Sequence, residues 1–314
     1  MKASEMTVSM AKTPSWAKVH FWILPRHFAL PAALCPVLLG TLWSGGPTAG
    51  LILALLAAAC LMWSLHCWNS VVDWLSGVDK PGGSVEKPYT SGSQVLPQGW
   101  APLWAVIANA VTFFSLAVGF TVWLTLLAHS WWPFFGFGMG FVFGAFYSPI
   151  WKYWCMPEAC GLLGFGVGGT ALGMSVSGQV PLKEAFLLGV AISLPFAVSW
   201  GVDQAYDAAS DVQRGVRNIG GLLHVTGFPT WAYTGIGALF TYAYVVFLVA
   251  IGVLGPWAGL TFLAVPAWIV CLAWLHASQN TAHPRQTKAL DLGVRWGLIA
   301  ILIHMVALVV ATAV

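Results

Sequence analysis

One stretch of the chain, residues 48–73, reads TAGLILALLAAACLMWSLHCWNSVVD. Its apolar residues continue for the roughly 20 positions that a helix needs to cross the hydrocarbon core of a membrane. The stretch does not alternate between apolar and polar residues, as a membrane β-strand would. It ends in a carboxylate, Asp73, in a chain where only 7% of the residues are charged. The stretch therefore predicts a transmembrane helix with an acidic end.

Apolar runs of this kind fill the whole chain of 314 residues, of which 59% are hydrophobic, and the mean hydropathy is +0.80. That composition excludes a soluble domain with a single membrane anchor. The sequence therefore predicts an all-α integral membrane protein, in which residues 1–314 form a single transmembrane domain of about nine helices. The predicted spans are residues 27–46, 48–72, 101–122, 130–147, 158–177, 184–205, 229–253, 257–278 and 293–313.

The distribution of Lys and Arg predicts the orientation of these spans. With nine spans, one face of the membrane carries 12 of the 13 basic residues, and only Lys183 falls on the other face. Under the positive-inside rule the basic face is cytoplasmic. We therefore expect a multi-pass protein of a cytoplasmic, inner membrane, with a central cavity that opens on the cytoplasmic side. On that side lie the polar N-terminal segment 1–21 and the two long loops 73–100 and 206–228.

Five of the ten acidic residues lie in two clusters, each at the end of an apolar run. A carboxylate near hydrocarbon is costly and neighbouring carboxylates repel one another, so a cation must compensate them. Mg²⁺ suits them, because it takes oxygen ligands and is usually held by one or two carboxylates plus substrate phosphates. Ordinary solvated helix ends are the alternative, which the regular spacing of the acids disfavours. The clusters are Asp73 and Asp79 with the nearby Asn69, and Asp203, Asp207 and Asp211.

The spacing within each cluster predicts its geometry. Asn69 and Asp73 are four residues apart and share one helix face, and a Ser-Gly break lets the chain turn back before Asp79. The second cluster repeats every four residues and predicts a single acidic stripe on one helix. Two facing clusters predict a site that holds a diphosphate through two or more Mg²⁺ ions. The isolated acid Glu158 is predicted to lie at a helix start, where the helix dipole favours it, with a role at the substrate site as the alternative. Asp291 is predicted to open the last span.

Four segments carry a resemblance to a known family. They are residues 26–40, NSVVDWLSGVD at 69–79, YSPIWK at 147–152 and DAASDVQRGVR at 207–217. In this order they resemble the first helix, the first aspartate motif, the Tyr/Lys loop and the second aspartate motif of the UbiA superfamily of membrane prenyltransferases. The first motif is most similar to the branch that prenylates 1,4-dihydroxy-2-naphthoate. In that branch Asn residues usually stand where this chain has Asp203 and Gln204.

The resemblance implies a role for each site residue. The implied metal ligands are Asn69, Asp73, Asp79, Asp203, Asp207 and Asp211. The implied diphosphate-binding residues are Arg26, Asn69, Lys152, Arg214 and Arg217. The residues implied in the catalytic step are Asp73, Asp207, Tyr147 and Lys152. The apolar helices would enclose the isoprenoid tail and keep water away from the allylic cation.

The expected function is Mg²⁺-dependent transfer of a prenyl group from a polyprenyl diphosphate to an aromatic acceptor, with release of pyrophosphate. The acceptor would be a quinone precursor such as a dihydroxynaphthoate or a hydroxybenzoate. Other acceptors stay open: a lipid, a chlorophyllide, haem, or none at all, as in a membrane terpene cyclase. A transporter is a different class, which the position of the acids at one interface disfavours, since transporter sites lie near the midplane. The expected partners are the diphosphate, the acceptor and the lipid bilayer, and no nucleic acid is expected.

Overall fold

The computed structural model describes residues 14–24, 26, 29–79, 95–154, 157–206, 208–213, 215–279 and 285–314. Within these residues the regular structure is entirely helical, which confirms the predicted all-α class. Seven of the described helices are long and apolar enough to cross a membrane. Two shorter apolar helices occupy two further predicted spans, and the total of nine spans stays a prediction.

The principal helices follow the predicted spans in order. They are α1 (Leu30–Ser44), α2 (Thr48–Leu75), α3 (Leu103–Ala128), α4 (Trp132–Ala145), α5 (Cys160–Ser177), α6 (Leu182–Asp203), α7 (Thr230–Ala250), α8 (Pro256–Gln279) and α9 (Arg285–Ala313). The two shorter helices are α1 and α4. Local residues explain several boundaries: α1 ends at Gly45, which has a left-handed φ of 66°, and Pro47 then precedes α2.

The last helix begins earlier than the sequence predicts. α9 starts at Arg285 rather than at residue 293, because its first turns carry polar side chains that a search for apolar runs excludes. Asp291 therefore lies inside the helix, and the prediction that it opens the helix is wrong. Its Oδ2 accepts a hydrogen bond from Arg295 Nε at 3.0 Å, one turn further along. The Arg295 side chain is exposed and that of Asp291 is partly exposed, and such a pair four residues apart contributes a few tenths of a kcal/mol.

Close packing between helices depends on small residues. α6 lies in the largest apolar core and packs against α1, α5, α7 and α9. Where α1 crosses α5, a Cβ on Gly40 would collide with the carbonyl oxygen of Thr170, and a Cβ on Gly173 would collide with that of Val37. Glycine at these positions lets the two backbones approach, as is usual between helices in membranes.

The elements that carry the predicted site residues lie at one end of this bundle. α2 and α6 both end there, at Leu75 and Asp203. A 3₁₀ turn, Trp151–Tyr153, lies between α4 and α5. After α6 come a second 3₁₀ turn and two short helices, which connect to α7. These are Gln204–Tyr206, Ala208–Gln213 and Ile219–Thr226.

Candidate active site

An ion pair between Lys152 and Asp73 lies at the centre of the candidate site. Asp73 is in the last turn of α2, and the Lys152 ammonium donates to its Oδ1. Only 8% of the Lys152 side chain and 15% of the Asp73 side chain are exposed, so Lys152 is not simply a solvated surface cation. Tyr147 is half-buried, and its carbonyl accepts the Lys152 N–H at 3.1 Å. The Tyr/Lys loop, residues 147–152, therefore contacts the first acidic segment, residues 69–79.

The turn after α2 returns Asp79 to Asp73. Gly77 has a left-handed φ of 74°, which glycine adopts without strain. The Asp79 N–H then donates to the Asp73 carbonyl at 3.0 Å, and Asp79 is only 6% exposed. The predicted turn at the Ser-Gly break is confirmed, and it brings two carboxylate-bearing residues to one helix end.

Asn69 and His66 lie on the preceding turns of α2 and carry polar atoms that lack partners. Asn69 Oδ1 and His66 Nε2 are buried and have no hydrogen-bond partner among the described residues. Buried polar atoms of this kind are uncommon in folded proteins. Asn69 is one turn before Asp73 on α2, and Asp79 returns to the same helix end, so an amide oxygen and two carboxylates, which are donors of the type that Mg²⁺ prefers, lie on adjoining turns. These residues therefore fit the predicted metal.

The described residues do not form a complete metal site by themselves. No three His, Cys, Asp or Glu side chains converge within the part of the chain that the structure describes. Mg²⁺ seldom needs such a cage, because it keeps waters and takes substrate phosphates as ligands. A site completed by a diphosphate is consistent with this arrangement.

The second acidic segment, residues 203–211, is not one continuous helix. α6 ends at Asp203, a 3₁₀ turn follows at Gln204–Tyr206, and Asp211 lies in the separate helix Ala208–Gln213. The predicted single acidic stripe is therefore wrong. Repulsion between like charges four residues apart on one helix gives a physical reason for the break.

The structure describes only some of the other predicted site residues. Asp207 and Arg214 lie outside the described residues, as does the side chain of Asp203. Arg217 has an exposed side chain. Arg26 has a left-handed backbone with a φ of 51°, which is uncommon for a residue other than glycine.

Hydrogen bonds join the two acidic segments through Lys152. The Arg217 N–H donates to the Lys152 carbonyl at 2.9 Å. The next residue, Asn218, donates from Nδ2 to Asp211 Oδ2 at 2.8 Å. A continuous path of contacts therefore runs from Asp73 through Lys152 to Asp211, although these residues are far apart in the sequence. No role for Asn218 was predicted from the sequence.

Glu158 and Gln204 make a second connection that the sequence analysis missed. Glu158 Oε1 accepts hydrogen bonds from Gln204 Nε2 and from the Ile219 N–H, each at 3.2 Å. Burial raises the pKa of Glu158, although these hydrogen bonds partly offset the shift. Glu158 does lie at a helix start, as predicted. The position of Glu158 directly before an apolar run could have indicated such partners, because a carboxylate there needs compensation.

Comparison with known proteins agrees with this arrangement. A model of the UbiA prenyltransferase family matches residues 29–299. The chain belongs to the UbiA prenyltransferase family. As a UbiA family member it is an enzyme, a membrane prenyltransferase. The match does not distinguish the branch that uses 1,4-dihydroxy-2-naphthoate, so that finer prediction stays a prediction.

Solved structures of other proteins, two of them UbiA homologues, share the fold. The apo structure of a UbiA homologue from Aeropyrum pernix K1 is 19% identical, with 88% of this chain and 96% of that chain covered and a TM-score of 0.63. A digeranylgeranylglyceryl phosphate synthase is 14% identical, with coverages of 94% and 98% and a TM-score of 0.56. A UbiA homologue from Archaeoglobus fulgidus, bound to GPP and Mg²⁺, is 18% identical, with coverages of 90% and 99% and a TM-score of 0.51. No curated protein matches the chain in sequence.

Proposed function

We propose that the chain catalyses Mg²⁺-dependent transfer of a prenyl group from a polyprenyl diphosphate to an aromatic acceptor of the quinone-precursor type, releasing pyrophosphate. The path of contacts from Asp73 through Lys152 to Asp211 carries the proposal. Along it, two acidic segments and a buried cation lie together at one end of an apolar helical bundle. The Archaeoglobus homologue is bound to GPP and Mg²⁺, which supports this donor and this metal.

The diphosphate would bind among the charged groups of both acidic segments. Bound Mg²⁺ supplies positive charge that stabilises the leaving pyrophosphate. Lys152 would contribute a further positive charge, and Asp73 orients its ammonium. The proposed metal ligands are Asn69, Asp73, Asp79, Asp203, Asp207 and Asp211. The proposed phosphate-binding residues are Arg26, Asn69, Lys152, Arg214 and Arg217.

The proposed reaction breaks the allylic C–O bond, and its electron pair leaves with pyrophosphate. An electron-rich ring carbon of the acceptor then forms the new C–C bond, and that carbon loses its proton to restore the aromatic ring. The aromatic face of Tyr147 would stabilise the intermediate cation. The apolar helices would exclude water, which would otherwise capture the cation. Asp73, Asp207 and Lys152 would act in the ionisation step.

The orientation and the acceptor are parts of the same proposal. The distribution of basic residues supports a protein with nine spans, whose N-terminus, acidic segments and central cavity face the cytoplasm. The first aspartate motif supports an acceptor related to 1,4-dihydroxy-2-naphthoate. Because a digeranylgeranylglyceryl phosphate synthase shares the fold, the fold alone does not determine the acceptor, and a direct test is needed.

The test measures pyrophosphate release by the purified protein in detergent. Farnesyl or geranylgeranyl diphosphate and Mg²⁺ are supplied with and without 1,4-dihydroxy-2-naphthoate, and the product mass is determined. Asp73→Ala is the inactive control. Asp291→Ala is the matched control, because this carboxylate lies on α9, where it pairs with the exposed side chain of Arg295.

The outcomes separate the possible activities. Release that requires both the naphthoate and Asp73 is expected. Release without any acceptor, with a cyclised or hydrolysed product, would refute the aromatic acceptor while keeping the diphosphate site. No release from any prenyl diphosphate, by protein that is folded, would refute the proposed donor.

A further inference from the structure

The first turn of the helix Ile219–Thr226 holds three side chains through consecutive backbone N–H groups. The Ile219 N–H donates to Glu158 Oε1 at 3.2 Å and the Gly220 N–H donates to Gln204 Oε1 at 2.9 Å. The Gly221 N–H donates to Asn218 Oδ1 at 2.7 Å. These N–H groups have no partner within their own helix, so each needs an acceptor from elsewhere. Side chains supply all three.

Two of these side chains hold opposite ends of the second acidic segment. Gln204 directly follows Asp203 in the chain. Asn218 donates to Asp211 Oδ2 at 2.8 Å, near the other end of the segment. The second acidic segment carries three of the predicted metal ligands, Asp203, Asp207 and Asp211. The contacts of Gln204 and Asn218 with this segment therefore meet in one helix turn.

Glu158 connects this turn to the rest of the bundle. It lies immediately before α5, and its Oε1 also accepts from Gln204 Nε2 at 3.2 Å. Gln204 therefore donates to Glu158 and accepts from Gly220, so both ends of its amide are engaged. A Cβ on Gly220 would lie 2.5 Å from the Cβ of Gln204, so the helix turn and the segment are in close contact.

We propose that Glu158 and Gln204 are positioning residues, which hold the second acidic segment in the conformation that binds the Mg²⁺–diphosphate complex. Neither residue is assigned a contact with substrate or metal. The inference rests on the proposed diphosphate site but needs no particular acceptor. Loss of the Glu158 and Gln204 side chains leaves the Ile219 and Gly220 N–H groups without their acceptors and releases the start of the second acidic segment. The affinity for Mg²⁺ therefore falls even if the helices remain folded.

The experiment measures binding of geranyl S-thiolodiphosphate, an unreactive analogue of the donor, to the full-length protein in detergent as Mg²⁺ is titrated. Glu158→Ala, Gln204→Ala and the double variant form a cycle that measures coupling between the residues. The exchange variant, Glu158→Gln with Gln204→Glu, conserves net charge. The amide that it introduces at position 158 can donate to the new carboxylate at position 204, and acceptors for both backbone N–H groups remain. Glu184→Ala is the matched control, at the opposite end of α6.

Each single Ala variant is expected to raise the Mg²⁺ concentration for half-maximal binding by about tenfold. The double variant is expected to match the worse single variant, and the exchange variant is expected to recover to within about threefold of the parent protein. Glu184→Ala is expected to bind as the parent does. Thermal unfolding identifies variants that are folded, and if Glu158→Ala does not fold, Gln204→Ala and the exchange variant carry the test.

Folded Ala variants whose binding depends on Mg²⁺ as that of the parent does would overturn the inference. So would losses of binding that add fully in the double variant and that the exchange variant does not recover. A purely structural role would lower the unfolding temperature without changing the Mg²⁺ dependence of binding. Absence of Mg²⁺-dependent binding by the parent protein would instead refute the proposed diphosphate site. The two failures are therefore distinguishable.

Discussion

Replacing Lys152 by Met tests the ion pair at the centre of the site. The change removes the charge but keeps a long apolar side chain, so the packing of the Tyr/Lys loop is largely preserved. Asp73, whose side chain is only 15% exposed, then loses its counter-ion. Removing one partner of a buried pair costs about 3–5 kcal/mol. Since Asp73 keeps some contact with water, we expect a loss near the lower limit, about 3 kcal/mol.

The assay is unfolding of the purified protein in detergent without Mg²⁺, followed by circular dichroism. Asp73→Asn combined with Lys152→Met is expected to recover at least half of the lost stability, because a neutral amide needs no counter-ion. The double variant is nevertheless expected to lack prenyl transfer activity. Lys183→Met is the matched control, because Lys183 is exposed and at the other end of the bundle, and it is expected to unfold as the parent does.

Two results would refute this reasoning. If Lys152→Met were as stable as the parent protein, Asp73 would not depend on the ion pair. If the double variant were as unstable as Lys152→Met alone, the loss would come from packing rather than from an uncompensated charge. Either result would remove the main support for a preorganised charged site.

Further predictions concern one metal ligand, one helix crossing and one cap. Asp79→Asn is expected to lower kcat for pyrophosphate release by about 10²–10³-fold, and a rate near that of the parent would exclude Asp79 as a ligand. Gly173→Ala is expected to destabilise the protein by about 1–3 kcal/mol in thermal unfolding, because the new Cβ meets the Val37 carbonyl. Gly138→Ala, which meets no atom within 4 Å, is its control and is expected to be neutral or slightly stabilising. Asn218→Ala is expected to cost about 1–2 kcal/mol by removing a helix cap. Asn218→Ser, which keeps a capping oxygen and places no charge beside Asp211, is expected to cost less, and equal losses would contradict the cap.

The positions of the helices were predictable because membrane insertion depends on local composition. An apolar run of sufficient length must satisfy its backbone hydrogen bonds within itself, so α2 and the other long helices follow directly from the sequence. The same local reasoning failed at polar ends. The search for apolar runs left out the first turns of α9, whose residues are polar. The regular spacing of the aspartates suggested one helix over residues 203–211, because spacing alone does not reveal a 3₁₀ turn.

The sequence also indicated which residues form the site, since carboxylates are costly near hydrocarbon and their clusters are conspicuous in a chain of low charge. The turn at Gly77 and the return of Asp79 to Asp73 were predictable, because both depend on neighbouring residues. The family resemblance implied that Lys152 binds the diphosphate, but its pairing with Asp73 was not predicted. Burial of Lys152 against it became clear only from the packed structure.

By itself, the sequence determined a helical membrane protein with two acidic segments, because hydropathy and the cost of buried charge act along the chain within a few helical turns. Only the tertiary structure decided how these segments are held together. Lys152 meets Asp73, and Glu158 meets Gln204, across separations of 79 and 46 residues. Contacts at such distances depend on how the helices pack, and no local pattern encodes that packing.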